Sequence, residues 1–304
     1  MYDELIAFVR EWYDSTETIP LSTPKFGRTE HEYIAQAIDS TIVSSIGHFV
    51  DEFEQLVAEY TGSQTAVATV NGTAALHVAL RLVGVESDDE VVTQPLSFVA
   101  TANAISYQHA HPVFVDVDRK TLGLSPVALD KFFHTGCERR GSKTINRHTG
   151  RRIAAVVPMH TFGLPCEIQT ICDVADAWGV PVVEDAAEAL GSIRGGRHCG
   201  TFGRIGIYSF NGNKTITTGG GGMIVTDRQL GDRARHLTTT AKVPHQWEYT
   251  HDDVGYNFRM PNLNAALGCA QVSRLESFVA EKRALGQAYA RFFDGCAWAE
   301  FVDE

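Results

Sequence analysis

The chain has six cysteines, but no two form a C-x-x-C pair and none falls at a zinc-ligand spacing. A sequence-encoded zinc site is therefore excluded, no metal is expected, and the thiols are expected to stay reduced and buried in a cytoplasmic protein. Long apolar runs are missing too, so nothing reads as a membrane span, and Asp3 and Glu4 stand where a secretory signal would be basic. Basic charge is scarce: 26 Lys and Arg against 37 Asp and Glu leave a net charge of −11. That balance argues against nucleic acid or anionic membrane as a general partner. Two nucleotide motifs are also lacking. Asn213, not glycine, precedes Lys214, and a β-branched stretch follows it, so there is no P-loop; Gly219 to Gly222 run into an apolar strand pattern and do not open a helix.

What is present is an ordinary globular composition, 44% apolar and 21% charged, over 304 residues, enough for one large core and a start on a second domain. Strand and helix patterns alternate. Strands are predicted at Thr65–Val70, Glu90–Thr93, Val113–Val117, Ile153–Met159, Val180–Glu184, Ile205–Phe210 and Met223–Thr226. Helices are predicted from Gly72 to Leu82, across Ala100–Tyr107, near Pro126–His134 and around Ile168–Trp178. This alternation predicts an α/β fold with a mostly parallel, doubly wound sheet. Thr29-Glu30-His31-Glu32 reads as a capping box, Gly136–Arg151 as an exposed polar excursion, and Leu263–Phe293 as a long helix interrupted at Gly268 and Gly286.

Three places carry chemistry. Lys214 follows an apolar strand and a break at Asn211-Gly212-Asn213, a setting where a lysine can be partly desolvated and used as an amine. A surface ammonium is the plain alternative. Asp185 ends the apolar run Val180-Pro181-Val182-Val183-Glu184, at the carboxyl end of a strand, where open α/β sheets bind ligands. It is either a helix cap or a partner for a protonated ring nitrogen. Asn71-Gly72-Thr73 lies between a strand and a helix start, where free backbone N–H groups and the helix dipole hold phosphate, with the Thr73 and Ser209 hydroxyls as further donors. A lysine amine, a ring-nitrogen carboxylate and a phosphate cradle are together what pyridoxal 5'-phosphate (PLP) requires.

Asn71-Gly72-Thr73-Ala74-Ala75-Leu76, Phe98-Val99-Ala100-Thr101-Ala102-Asn103-Ala104, Pro112 to Asp118, Glu184-Asp185-Ala186-Ala187, Ser209-Phe210 with Lys214, and Gly255-Tyr256-Asn257-Phe258-Arg259-Met260 occur in an order that resembles a known family. They look like the fold type I PLP sugar aminotransferases of the DegT/StrS group, from about Leu21 to the end. Leu21 to Phe26, Pro158 to Gly163, Asn211 to Lys214 and Ala241 to His245 resemble the nucleotide-sugar 4-aminotransferases of the legionaminic-acid and bacillosamine type.

The resemblance implies that Lys214 is the Schiff-base lysine and proton carrier and Asp185 the partner of the pyridine nitrogen. It implies that Gly72, Thr73 and Ser209 hold the phosphate, that Phe98 stacks on the ring, and that Asn257 reaches the phosphate of a neighbouring subunit in a homodimer with shared active sites. Glu188 departs from the glutamine common in the group; it is expected beside the ring edge, its role left open. His160 is a candidate substrate contact, with a structural hydrogen-bonding role as the alternative. The implied reaction moves an amino group from glutamate to a nucleotide-linked 4-keto-6-deoxy sugar. Alternatives are a 3-keto sugar nucleotide, or a PLP-binding regulatory or scaffold protein. Residues 1–258 are expected to form the large PLP-binding domain, and 259–304 a linking helix and the start of a smaller C-terminal domain. Because the family usually continues further, the chain is expected to be incomplete, with Leu267, Leu275, Phe278 and Leu285 exposed as an apolar face.

Overall fold

The computed structural model describes residues 2–302. Its strands are β1 (Thr65–Thr69), β2 (Glu90–Thr93), β3 (His111–Phe114), β4 (Cys137–Arg140), β5 (Lys143–Asn146), β6 (Arg152–Val157), β7 (Val183–Asp185), β8 (Ile193–Arg194), β9 (Arg197–His198), β10 (Ile205–Ser209) and β11 (Gly222–Thr226). Its helices are α1 (Tyr2–Tyr13), α2 (Arg28–Asp39), α3 (His48–Thr61), α4 (Gly72–Leu82), α5 (Val99–Tyr107), α6 (Pro126–Gly136), α7 (Ile168–Ala177), α8 (Arg228–Thr238), α9 (Asn262–Val272) and α10 (Leu275–Phe293).

One sheet runs β1-β11-β10-β7 and another β3-β2-β6-β5-β4. Parallel bridges Val156 to Val182 and Met159 to Asp185 join β6 to the β7 segment, so the two are continuous. β11 runs antiparallel to both β1 and β10, whereas β7 pairs parallel with β10, and β2 pairs parallel with β3 and β6. The sheet is thus mostly parallel, with β11, next to the β1 edge, reversed. The polar excursion becomes the antiparallel hairpin β4–β5, which extends the sheet edge beside the start of β6.

Period-2 alternation divides the strand side chains between two faces. Ala66, Ala68, Tyr208, Met223 and Val225 pack with Phe49, Phe53 and Val57 of α3 and Ala265, Ala266 and Cys269 of α9. Val67, Ile205, Ile207 and Ile224 pack with Leu76, Val78 and Leu80 of α4 and Ala234 of α8. Val92, Ile153 and Val156 form a third cluster with Phe133 of α6 and Ile168 and Ile171 of α7. Helices on both faces make the sheet doubly wound, as the alternation of elements requires.

Three expectations are corrected. The N-cap of α2 is Gly27, and Glu30 reaches back to its amide at 2.7 Å, so Thr29 lies inside the helix. The long C-terminal helix breaks at Ser273-Arg274 and passes uninterrupted through both glycines. Gly268 is there because a Cβ would lie 2.7 Å from the buried Phe53 ring, which lets α9 approach α3 closely. Third, α9 and α10 expose no apolar face of the expected kind: Leu275 and Phe278 of α10 are buried in the first cluster, and Leu267 of α9 and Leu285 of α10 are half-buried. Towards its end, Phe8 of α1 packs on Tyr289 and Phe292, with ring centroids 5.2 and 4.7 Å away.

Candidate active site

The carboxyl ends of β7, β10, β1, β2 and β6 lie along one edge of the sheet, and every sequence candidate except Asn257 is on or beside them. β7 ends at Asp185, which is buried with 2% exposure. Its two oxygens are fixed separately. Thr101 Oγ1 donates to Oδ2 at 2.7 Å, and the Ala187 amide donates to Oδ1 at 3.2 Å. Burial pushes the Asp185 carboxyl above its usual range, against the pull of these two donors and the positive charge of Lys214. A cationic ring nitrogen would relieve that cost, which a bare helix cap would not require.

Thr101 was not assigned a role from the sequence, where its one signal is its spacing from Phe98. It falls three residues after Phe98, the residue that caps α5, and its amide donates to the Phe98 carbonyl at 3.2 Å. That turn sets Phe98 at the mouth of the site, 67% exposed, while Thr101 reaches back to Asp185.

β10 ends at Ser209, and Lys214 follows on a bend whose amide donates to the Asn211 carbonyl at 3.0 Å. The Lys214 side chain is only 14% exposed, and its Nζ donates to Glu188 Oε1 at 2.9 Å. The other oxygen, Glu188 Oε2, accepts the Phe162 amide at 3.0 Å. Here the residue left open by the sequence has a defined place, paired directly with the lysine.

Asn71 caps α4 by accepting the Ala74 amide at 2.8 Å, which leaves the first-turn amides of Gly72 and Thr73 facing outward from the helix. A Cβ on Gly72 would come within 3.1 Å of Ser209 Cβ. The two residues therefore stand side by side, an approach that glycine allows.

His160 is corrected. It is fully buried; Nε2 donates to Glu184 at 3.1 Å and Nδ1 accepts the Cys166 amide at 3.2 Å. Both ring nitrogens are engaged within the chain, so the ring has the structural hydrogen-bonding role and neither nitrogen is left open for a substrate contact. Its backbone amide donates to the Asp185 carbonyl at 3.1 Å. Glu184 accepts three further amides, from Gly200, Phe202 and Gly203. Asn257 is exposed, its backbone bridged to Thr239, and its side chain bonds to none of the other candidates within this chain. A cleft of about 580 Å³ lined by Tyr60, His198 and Arg204 lies elsewhere and contains none of these groups. Among the described residues no cluster suited to a metal ion is present.

Residues 24–302 match the model of the DegT/DnrJ/EryC1/StrS aminotransferase family. The chain belongs to this family. EpsN of Bacillus subtilis (strain 168), itself only provisionally described as a pyridoxal phosphate-dependent aminotransferase, is 40% identical over 94% of this chain and 71% of its own length. The GDP-perosamine synthase of Escherichia coli O157:H7 is 39% identical over 90% of this chain and 71% of its own. Among solved structures, the aminotransferase TlmJ from Streptoalloteichus hindustanus superposes with a TM-score of 0.80 at 31% identity, covering 93% of this chain and 72% of that one. The fold is thus that of the family's aminotransferases.

The residues present fit PLP. A buried carboxylate with its charge raised in cost suits a pyridinium nitrogen, a largely enclosed lysine suits an aldehyde, and the adjoining Gly72 and Ser209 at the α4 N-terminus suit a phosphate.

Proposed function

We propose that this PLP-dependent aminotransferase transfers the amino group of glutamate to a nucleotide-linked 4-keto-6-deoxy sugar, giving a 4-amino sugar nucleotide. The observation that carries the chemistry is the shared sheet edge, where Lys214, paired to Glu188, stands in the field of the buried Asp185. The substrate class rests on the relatives. Two GDP-perosamine synthases, from Escherichia coli O157:H7 and Caulobacter vibrioides, are 39% and 37% identical to this chain.

When bound, PLP supplies an electron sink for charge developing on the amino-acid α-carbon. Asp185, held by Thr101 and Ala187, keeps the ring nitrogen protonated so that the sink is effective. Lys214 Nζ would be the base that takes the amino-acid α-proton and the acid that gives it back. Gly72, Thr73 and Ser209 would hold the phosphate, and Phe98 would pack against the ring. The same residues work in reverse on the keto sugar, so the kinetics are ping-pong.

Asn257 is assigned to the partner's site in a homodimer, which its exposure within one chain supports. Residues 1–258 form the PLP-binding domain in this reading, and 259–304 link to a smaller one. The cytoplasm is the assigned compartment, in keeping with five buried free cysteines. Among the described residues no helix is long and apolar enough to cross a membrane.

The test is incubation of the PLP-loaded protein with glutamate and a panel of keto sugar nucleotides, read by mass spectrometry. A mass change of ketone to amine on a 4-keto-6-deoxy substrate is expected. Amination of 3-keto substrates alone would replace the regiochemistry, and PLP binding without any turnover would mark a regulatory or scaffold protein.

A further inference from the structure

We propose that Glu188 ties Lys214 to the Thr161–Gly163 turn and that Phe162, carried by this turn, is a wall of the acceptor-substrate site. The substrate part rests on the function proposed above; the coupling does not.

One carboxylate holds two groups that no other hydrogen bond among the described residues connects. Glu188 Oε1 accepts from Lys214 Nζ at 2.9 Å, and Oε2 accepts from the Phe162 amide at 3.0 Å. Phe162 has φ 57° and ψ 16°, the left-handed region, which a bulky residue seldom adopts. Such backbone strain persists only where the surroundings fix it and is concentrated at ligand-binding segments. The fixing contacts are present. Gly163 and Leu164 amides return to His160 and Thr161 carbonyls. The Thr161 hydroxyl is buried against Gln94 Nε2 at 2.8 Å. The turn is therefore anchored on one side to the floor of the site and on the other to Glu188.

This anchoring leaves Phe162 73% exposed, with its backbone joined to Lys214 through the Glu188 carboxylate. A large aromatic held in a strained backbone and turned to solvent gains nothing for the core. It offers a flat apolar surface, which suits the C–H face of a deoxy sugar or a nucleobase. Whenever Lys214 is used as an amine, its ammonium leaves Glu188. One arm of the strut is then released, and the turn carrying Phe162 loosens with it. Glu188 is thus a positioning residue, and its departure from glutamine matters because both oxygens of a carboxylate can accept, whereas an amide offers one acceptor.

Hydrogen exchange of the cofactor-free protein tests the coupling without any turnover. Lys214→Ala and the volume-conserving Lys214→Met are both expected to speed exchange at the Phe162 amide roughly tenfold, and Glu188→Ala more than either. Unchanged exchange in both Lys214 variants would overturn it. For the wall, Phe162→Ala is expected to raise KM for the sugar nucleotide about tenfold with kcat nearly kept, to leave the glutamate half-reaction unaltered, and to be rescued by Phe162→Tyr. Equal loss in both half-reactions, or none in either, would overturn that assignment. If the wild type accepts no sugar nucleotide, the acceptor role falls with the proposed function, while exchange at Phe162 still decides the coupling.

Discussion

At the scale of single residues, the site assigns opposite duties to two ionisable groups. Lys214 must be available as an amine, so Lys214→Ala should abolish turnover while PLP still binds through the phosphate and ring-nitrogen contacts. Borohydride reduction of the wild type should fix the cofactor on the peptide containing Lys214; a label on another lysine would refute the assignment. Asp185 must stay ionised where burial disfavours it. Asp185→Asn should slow the glutamate half-reaction about a thousandfold, equivalent to ~4 kcal/mol of lost transition-state stabilisation. The same substitution should do the reverse to stability. Because burial raises the folded carboxyl above its unfolded value, the acid form favours folding. That contribution is full below the ordinary carboxylate range and is lost as pH rises through the raised folded value. At neutral pH the cofactor-free Asp185→Asn protein should therefore melt at a higher temperature than wild type, and the difference should vanish in strong acid. A lower melting temperature at neutral pH would show that the Thr101 and Ala187 bonds outweigh desolvation.

At the scale of elements, close approach decides more than propensity. Gly268 costs α9 about 1 kcal/mol of helix propensity relative to alanine. Replacing it, however, would push a methyl to 2.7 Å from Phe53, which is fully buried and cannot swing aside. Overpacking of this kind costs ~1–3 kcal/mol, so Gly268→Ala should destabilise the protein in urea despite the better helix former. A higher unfolding midpoint would mean that α9 and α3 can separate without loss. Glu54 is another device at this level. From α3 it accepts the Ala68 amide of β1, Arg235 of α8 and Arg259 of the segment that presents Asn257. One buried carboxylate thereby fixes three elements around the edge of the sheet.

For the whole molecule, the shared-site reading makes a quantitative demand. Lys214→Ala and Asn257→Ala subunits should each be inactive alone. Mixed after dissociation, half the dimers are hybrids, and each hybrid holds one intact site, so about a quarter of wild-type activity should return. Recovery no greater than the sum of the parents would place Asn257 outside the partner's site. The C-terminal helix bears on this scale as well. Its first half is in the core, through Leu275, Phe278 and Val279, and its second half is capped by Phe8. The apolar stripe expected from its sequence to lie bare is therefore largely used within the chain.

The succession of strands and helices along the chain was legible because apolar runs, their turn residues and their spacing are local properties. Asp185 at a strand end, Lys214 after a break and Gly72-Thr73 at a helix start could each be placed from neighbours in sequence, and the family motifs ordered them. The reversed direction of β11 was not legible, since an apolar run reads alike in both directions and only its partners decide. Nor was the break at Ser273-Arg274, where no glycine or proline marks the turn. His160 looked available because a strand-end histidine is polar, yet its two nitrogens found Glu184 and the Cys166 amide below the sheet edge. Thr101 meeting Asp185 and Glu188 joining Lys214 to Phe162 span separations of 84 and 26 residues. The sequence by itself determined which groups the chain possesses and which elements carry them. Only the tertiary structure decided which of them touch, because hydrogen bonds of about 3 Å depend on how separate strands and helices pack.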